Sequence, residues 1–172
     1  MKIGIDKGHC LSGANTGAQG LGRKEEYLTR EVGNLVEMLI RQHGVEVVNC
    51  TVDKASSNSE SLSLRVKKAN SNRCNLFVSI HFNASDGRGN GTEVYIYSKS
   101  DITHSIGNKV CSNFEKLGYK NRGVKTNPNL YVIKHTSMPA MLIECCFIDN
   151  DHDMDRYNAE KFANAIVNAL VD

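Results

Sequence analysis

The segment Ala140-Met-Leu-Ile-Glu-Cys-Cys-Phe-Ile148 decides the fold, because it is apolar at every position except Glu144. A short apolar run of this kind predicts a strand that is buried on both faces, as in the parallel sheets of α/β proteins. We place this strand at residues 140–145. Further strands are predicted from similar apolar or β-branched runs at residues 2–6, 45–50, 76–81, 92–97 and 130–133.

Amphipathic helices are predicted between most of these strands. Apolar residues recur at helical spacing in residues 25–43, 61–72, 102–117 and 156–171. The alternation predicts an α/β fold, a single domain with a mostly parallel, twisted sheet of about six strands and helices on both faces. No helix separates the third strand from the fourth, so we expect a hairpin with one antiparallel strand there.

The composition is that of an ordinary globular domain of 172 residues with a net charge of +2. This charge is too small to predict nucleic-acid binding. The basic segment Arg65-Val-Lys-Lys68 fits the solvated face of a helix better. No apolar run is long enough to span a bilayer, so we expect no membrane insertion.

Six cysteines are present, and none forms a CxxC pair that would favour a structural zinc finger. We interpret them as reduced, mostly buried thiols, which indicates synthesis in a reducing cytoplasm. The sequence enters its first strand at once and shows no signal peptide.

Two histidines stand at the ends of predicted strands, where sites lie in α/β sheets. His9 follows the first strand in a glycine-rich loop, residues 8–22, and His81 ends the third strand. Each has an alternative explanation, since His9 could form a hydrogen bond within its loop and His81 could be a core histidine. Asn83 falls on the same strand face as His81, and we take it as a candidate substrate-binding residue.

Two carboxylates, Glu25 and Glu26, open the first predicted helix. The helix dipole alone favours acidic residues at this end. Helical periodicity separates the two, because Glu25 aligns with Leu28 and Val32 on the apolar stripe, whereas Glu26 points away from it. Glu25 is therefore predicted to face the sheet beside the glycine-rich loop.

Glu144 interrupts the apolar segment quoted above. A carboxylate in such a strand must be paired, lie near a cation or hold a proton, because burial of a charge is unfavourable. Burial also raises the carboxyl pKa, which suits a residue that transfers protons near neutral pH. The alternative is a glutamate on an edge strand that reaches solvent, and Glu144 alone does not decide between the two.

Together, His9, Glu25 and His81 form the donor set of a catalytic zinc site, which leaves a position for water. Bound Zn²⁺ lowers the pKa of that water and polarises a carbonyl, and Glu144, outside the set, would transfer protons. The remaining histidines are interpreted as helix-terminal or loop residues, with His135 kept as a candidate for a substrate groove; they are His43, His104, His135 and His152.

Five motifs, taken in order, point to one family. They are Ile3-Gly-Ile-Asp-Lys-Gly-His9, Gly17-Ala-Gln-Gly20 followed by Glu25, Arg65 through Ala69-Asn70, Ser79-Ile-His-Phe-Asn-Ala84 and Pro139-Ala-Met-Leu-Ile-Glu144. Here the chain resembles the zinc-dependent N-acetylmuramoyl-L-alanine amidases of the Amidase_3 type, found in bacterial autolysins and phage endolysins. The resemblance covers nearly the whole chain, and the order and spacing of the motifs make it specific.

The resemblance implies a zinc ion bound by His9, Glu25 and His81, with Glu144 as the catalytic glutamate. It implies bacterial peptidoglycan as the substrate, cut between N-acetylmuramic acid and the L-alanine of the stem peptide. Residues 1–172 would then be an amidase catalytic domain with a six-stranded sheet. The absence of a signal peptide favours a phage endolysin that acts on the cell wall over a secreted autolysin.

The chain departs from the family pattern at two places. Cys74-Asn75 stands where an acidic residue is usual before the third strand, and Cys145-Cys146-Phe147 stands where glycine is usual after the catalytic glutamate. Two other functions remain as alternatives. One is a zinc peptidase that cuts within the stem peptide or a cross-link, and the other is an inactive wall-binding module.

Overall fold

A computed structural model describes residues 1–98 and 102–171 of the chain. In chain order the elements are β1 (Lys2–Lys7), β2 (Ser12–Gly13), β3 (Gln19–Gly20), β4 (Arg23–Lys24), α1 (Glu25–Gln42), β5 (Glu46–Asn49), β6 (Lys54–Ala55), α2 (Asn58–Ser71), β7 (Leu76–Asn83), β8 (Thr92–Ile96), α3 (Ile102–Lys116), β9 (Asn121–Thr126), α4 (Tyr131–His135), β10 (Ala140–Phe147), α5 (Asp151–Asp155) and α6 (Ala159–Val171).

The central sheet has the strand order β5-β1-β7-β10-β8-β9. Strands β5, β1, β7 and β10 are parallel, β8 is antiparallel to β10, and β9 is parallel to β8. This confirms the predicted α/β fold with a mostly parallel sheet. The expected antiparallel strand is β8, but the expected hairpin is wrong, because β10 lies between β7 and β8. The apolar side chains on both faces of β10 require an interior position in the sheet.

Helices cover both faces of the sheet, as predicted. Helices α1, α3 and α6 pack on one face over a core that includes Ile5 and Val32. Helices α2 and α4 pack on the other face, where Val66 and Val132 contact the core around Phe77. His81 and Glu144, described below, project from this second face near the carboxyl ends of β7 and β10.

The strand predicted at residues 130–133 is wrong, because these residues enter helix α4. A short apolar run does not by itself distinguish a strand from a buried helical turn. The sixth strand is β9, which sequence reasoning missed because its residues Asn121–Thr126 are mostly polar. An edge strand buries little of its surface, so polar residues are tolerated there.

Two helix boundaries also differ from the prediction. Helix α2 begins three residues earlier than expected, because the Ser57 hydroxyl caps it by accepting a hydrogen bond from the Glu60 amide. The helix expected at residues 156–171 begins at Ala159 and is preceded by the short helix α5, whose cap is Asn150.

All six cysteines are buried and free, in agreement with their interpretation as reduced thiols. Within residues 1–98 and 102–171, no helix combines the length and the apolar character that crossing a bilayer requires.

Candidate metal centre and active site

Three predicted ligands meet at one point beyond β1 and β7. Glu25 Oε1 lies 3.1 Å from His9 Nε2 and 3.1 Å from His81 Nδ1. One donor atom from each residue lies within 4.8 Å of the other two. The loop after β1, the first turn of α1 and the end of β7 each supply one of these side chains. The sequence therefore folds so that residues far apart in the chain form a compact donor cluster.

Glu25 is held in place by backbone groups as well as by the histidines. Its Oε1 accepts a hydrogen bond from the Phe82 amide at 3.0 Å, and its Oε2 accepts one from the Ala18 amide at 2.9 Å. Burial alone would raise the pKa of Glu25, but the hydrogen bonds from His81 and His9 outweigh it and hold the pKa well below its usual range. The carboxylate is thus fixed in its ionised form, as a metal ligand must be.

Glu26 does not join the cluster, in agreement with the helical periodicity. It is nevertheless buried, because its Oε2 accepts a hydrogen bond from the Gly17 amide at 3.2 Å. Glu26 therefore fixes the glycine-rich loop over the first turn of α1.

His9 adopts a left-handed backbone conformation, with φ of 65°, which is unfavourable for a residue with a side chain. Its carbonyl oxygen accepts hydrogen bonds from Arg30 at 2.7 Å and Arg65 at 2.5 Å, which hold this conformation.

Arg65 also forms a buried ion pair with Asp6. The prediction that Arg65 lies on a solvated helix face is wrong, since only 1% of its surface is exposed; Lys67 and Lys68 of that segment are exposed.

The His9 ring is oriented by Asn15, which sequence reasoning missed. Asn15 Oδ1 accepts a hydrogen bond from His9 Nδ1 at 3.1 Å, and Asn15 Nδ2 donates to Ser61. In the neutral ring this leaves the Nε2 lone pair facing Glu25. Burial alone would lower the pKa of His9, but the adjacent Glu25 carboxylate outweighs it, so the pKa is raised. Acceptors of this kind commonly orient histidines that bind metals.

Glu144 lies beside the cluster without being part of it. It pairs in register with His81 across β10 and β7, so the two side chains share one face of the sheet. Its Oε2 is buried and, among the described residues, has no hydrogen-bond partner. Burial, followed by the negative charges of Glu25 and Glu93, raises the pKa of Glu144 well above its usual value. A carboxyl group in this setting can hold a proton near neutral pH.

Asn83 lies on the same face as His81 and is bound to a second carboxylate. Its Nδ2 donates a hydrogen bond to Glu93 Oε1 at 2.9 Å. Glu93 also forms ion pairs with Arg122 and Lys125 and accepts a hydrogen bond from Tyr95. Sequence reasoning missed this group. The one available signal was the alternation of Glu93 and Tyr95 along β8, which places both on one face.

The other histidines lie away from the donor cluster. His43 caps the C-terminus of α1 as predicted, whereas His104, His135 and His152 lie in helices α3, α4 and α5. The His135 ring packs against Tyr131, with centroids 4.3 Å apart. Tyr131 in turn lines a cavity of about 310 Å³ that has His9 and His81 on its wall.

The donor cluster fits a zinc ion in its chemistry. Two imidazoles and one carboxylate are the ligands of many catalytic zinc sites. The cluster is partly open, because 21% of the His9 side chain and 16% of the His81 side chain remain exposed. A metal bound here could therefore meet a substrate.

Comparison with known proteins gives consistent results. The chain is 35% identical over 175 residues to the N-acetylmuramoyl-L-alanine amidase CwlM of Bacillus licheniformis, covering 96% of this chain and 64% of that protein. It is 33% identical over 171 residues to the endolysin of Bacillus phage SPP1, covering 95% of this chain and 61% of that protein. The chain thus spans somewhat less than two thirds of these relatives.

A solved structure shows the same similarity. The catalytic domain of the CD27L endolysin, which targets Clostridium difficile, superposes with a TM-score of 0.91 at 30% identity, covering 99% of this chain and 97% of that one. The family model for N-acetylmuramoyl-L-alanine amidases, Amidase_3, matches residues 3–172. The chain therefore belongs to the Amidase_3 family of N-acetylmuramoyl-L-alanine amidases.

Proposed function

We propose that residues 1–172 form the catalytic domain of a zinc-dependent N-acetylmuramoyl-L-alanine amidase. Its substrate is bacterial peptidoglycan, and it cleaves the amide bond between N-acetylmuramic acid and the L-alanine of the stem peptide. The observation that carries this proposal is the position of Glu144 next to the cluster of His9, Glu25 and His81, with its Oε2 buried and without a hydrogen-bond partner among the described residues. Family membership supplies the bond that is cut.

His9, Glu25 and His81 are the residues that would hold the zinc ion. When bound, Zn²⁺ polarises the scissile carbonyl, stabilises negative charge on its oxygen and lowers the pKa of a water molecule to about 7. The hydrogen bonds from Phe82 and Ala18 to Glu25 orient the carboxylate, and Asn15 orients the His9 ring. These contacts fix the ligands before a metal arrives, which lowers the cost of ordering them.

Glu144 transfers the protons. In its ionised form it accepts a proton from the attacking water, and it then delivers that proton to the nitrogen of L-alanine as the carbon–nitrogen bond breaks. Its Oε2 suits this role because it is buried and among the described residues has no competing hydrogen bond. The raised pKa of Glu144 favours return of the proton to the leaving amine.

Asn83 is proposed to contact the substrate. Its amide lies on the face that carries His81 and Glu144, and Glu93 fixes its orientation. The similarity to the SPP1 and CD27L endolysins supports action on the cell wall as an endolysin.

Replacement of Glu144 tests the proposed mechanism. We expect Glu144→Gln to lower the rate of cell-wall hydrolysis by at least about a hundredfold, the usual contribution of a general acid–base residue. Zinc content should stay at one ion per chain, measured by a stoichiometric metal assay. Glu160→Gln, an exposed glutamate on α6, is the matched control and should keep full activity. Full activity of Glu144→Gln would refute the assignment.

A further inference from the structure

A row of polar side chains crosses the sheet at the level of the donor cluster, on the face that carries α2 and α4. Strand β10 places Glu144 directly between His81 of β7 and Glu93 of β8. Residues paired in this way project from the same face. The pairing of β8 with β9 shifts register between Thr92 and Val94, and this irregularity lies opposite Arg122. The row therefore continues from His81 through Glu144 and Glu93 to Arg122.

The far end of this row carries an excess of positive charge. Glu93 is only 2% exposed, and its Oε2 accepts a hydrogen bond from Arg122 Nε at 2.6 Å and forms an ion pair with Lys125. Two positive charges thus face one negative charge, which leaves one positive charge in the group. The side chains of Arg122 and Lys125 are 28% and 39% exposed, so both cations can meet a ligand.

The carboxylate that both cations share is itself held by a further contact. Tyr95 donates a hydrogen bond to Glu93 at 2.8 Å, which holds the carboxylate that both cations share. The Arg122 guanidinium also lies over the Phe147 ring, 5.0 Å from its centroid. A preorganised cationic pair of this kind favours a planar anion such as a carboxylate.

The proposed amidase reaction, on which this inference rests, gives the substrate a direction along the row. The carbonyl carbon that is attacked belongs to the muramyl side and lies near the donor cluster. The leaving nitrogen belongs to L-alanine and lies near Glu144, since Glu144 protonates it. The stem peptide therefore extends from Glu144 away from His81, toward Glu93 and the two cations.

The distances along the row match a short extended peptide. Adjacent strands lie about 4.8 Å apart, so the cations, which reach back to Glu93, lie roughly 5–10 Å from Glu144. An extended peptide advances about 3.3–3.6 Å per residue, which places the residue after L-alanine within this interval. Carboxylates occur on the peptide part of the substrate, whereas the N-acetylmuramic acid residue becomes uncharged once its lactyl group is in the amide.

We propose that Arg122 and Lys125, held by Glu93, form a subsite for a carboxylate of the stem peptide, on the residue that follows L-alanine. This subsite selects substrates by the charge of that group. A stem peptide with a free carboxylate there binds better than one in which the group is a carboxamide.

Matched muramyl peptides test the subsite. Two synthetic substrates are compared that differ only in a free carboxylate or a carboxamide on the residue after L-alanine. We expect the wild-type protein to prefer the carboxylate by about tenfold in kcat/KM, as for one charge-assisted hydrogen bond. In Lys125→Met the ratio should fall toward one. Lys125→Arg should keep the preference, and Lys109→Gln, an exposed cation on the opposite face, is the control.

The outcomes separate this subsite from the amidase activity itself. Cleavage of neither peptide at the L-alanine amide by the wild-type protein would contradict the proposed function. Equal cleavage of both, or an unchanged ratio in Lys125→Met, would overturn the subsite alone. Because Glu93 keeps Arg122 as a partner in Lys125→Met, the variant should fold, and its thermal unfolding checks this. Binding of both peptides to Glu144→Gln, measured by calorimetry, gives a readout that does not depend on turnover.

Discussion

At the scale of single residues, the surroundings of Glu144 that suit proton transfer also lower the stability of the folded protein. Its Oε2 is buried and finds no hydrogen-bond partner in residues 1–98 and 102–171, which is unfavourable in the folded protein. The same burial raises the pKa of Glu144, which the proposed proton transfer uses. Residues at catalytic sites commonly lower the stability of the fold in this way. In the metal-free protein, the pH dependence of the free energy of unfolding therefore shows how much the titration of Glu144 lowers the stability.

We expect Glu144→Gln to stabilise the metal-free protein at pH 7 by about 1–3 kcal/mol, because an amide does not titrate, whereas the carboxyl costs about 1.4 kcal/mol for each pH unit between its unfolded and folded pKa. A carboxyl whose pKa is raised by folding binds more protons in the folded state, so its contribution to stability falls as pH rises above the unfolded pKa. The difference between variant and wild type should therefore disappear well below pH 4. Denaturant unfolding at both pH values measures it. A stabilisation of equal size at both would contradict a titrating Glu144.

Residues with a position in a regular element were predictable, and residues in loops were not. His81 and Glu144 follow from strand alternation and burial, and Glu25 follows from helical periodicity. Asn15 was missed because it lies in the glycine-rich loop, at φ of 67°, where no periodicity applies. The role of Arg65 was missed because its partners, Asp6 and the carbonyl of His9, come from distant segments.

At the scale of elements, the close approach of β1 to β7 builds the donor cluster. The Gly8 amide donates a hydrogen bond to the Ile80 carbonyl at 2.9 Å, which brings the loop after β1 against His81. A Cβ atom on Gly8 would lie 2.3 Å from His81 Cε1 and 2.4 Å from its Nε2. Glycine is therefore required at position 8 for a reason that concerns the site and not the turn.

We expect Gly8→Ala to displace the His81 ring and to weaken zinc binding by about 10–100-fold, the usual effect of disturbing the support of a metal ligand. Competition with a chromogenic chelator measures the affinity. Gly44→Ala is the control, because a Cβ atom there meets open space and its φ of 72° adds only backbone strain of about 1–2 kcal/mol. Wild-type zinc affinity in Gly8→Ala would show that His81 is not a ligand.

Strands were predicted correctly where burial on both faces makes their sequence apolar. Strands β1, β7 and β10 are interior and apolar, and the sequence shows them plainly. Strand β9 was missed because an edge strand needs few apolar residues, and α4 was taken for a strand because five residues hold too little periodicity. Arg122 and Lys125, the cations of the proposed subsite, lie on β9, so the sequence analysis missed the strand and these residues for the same reason.

At the scale of the whole molecule, the strand order brings every part of the proposed reaction to the end of the sheet where the parallel strands have their carboxyl ends. Strands β1 and β7 and helix α1 supply the donor cluster, β10 supplies the proton-transferring carboxyl, and β8 and β9 supply the cations. The antiparallel direction of β8 brings Glu93 opposite Glu144. The fold class was predictable from the sequence, but this order was not, because it depends on which strands pair.

The products of cell-wall digestion test the central claim most directly. Purified walls are digested with the wild-type protein, with and without a chelator, and the fragments are identified by mass spectrometry. We predict free stem peptides that begin with L-alanine and glycan strands that keep intact lactyl groups, formed only when the chelator is absent and again after zinc is restored. A cut within the stem peptide, or the same products in the presence of the chelator, would contradict a zinc-dependent amidase.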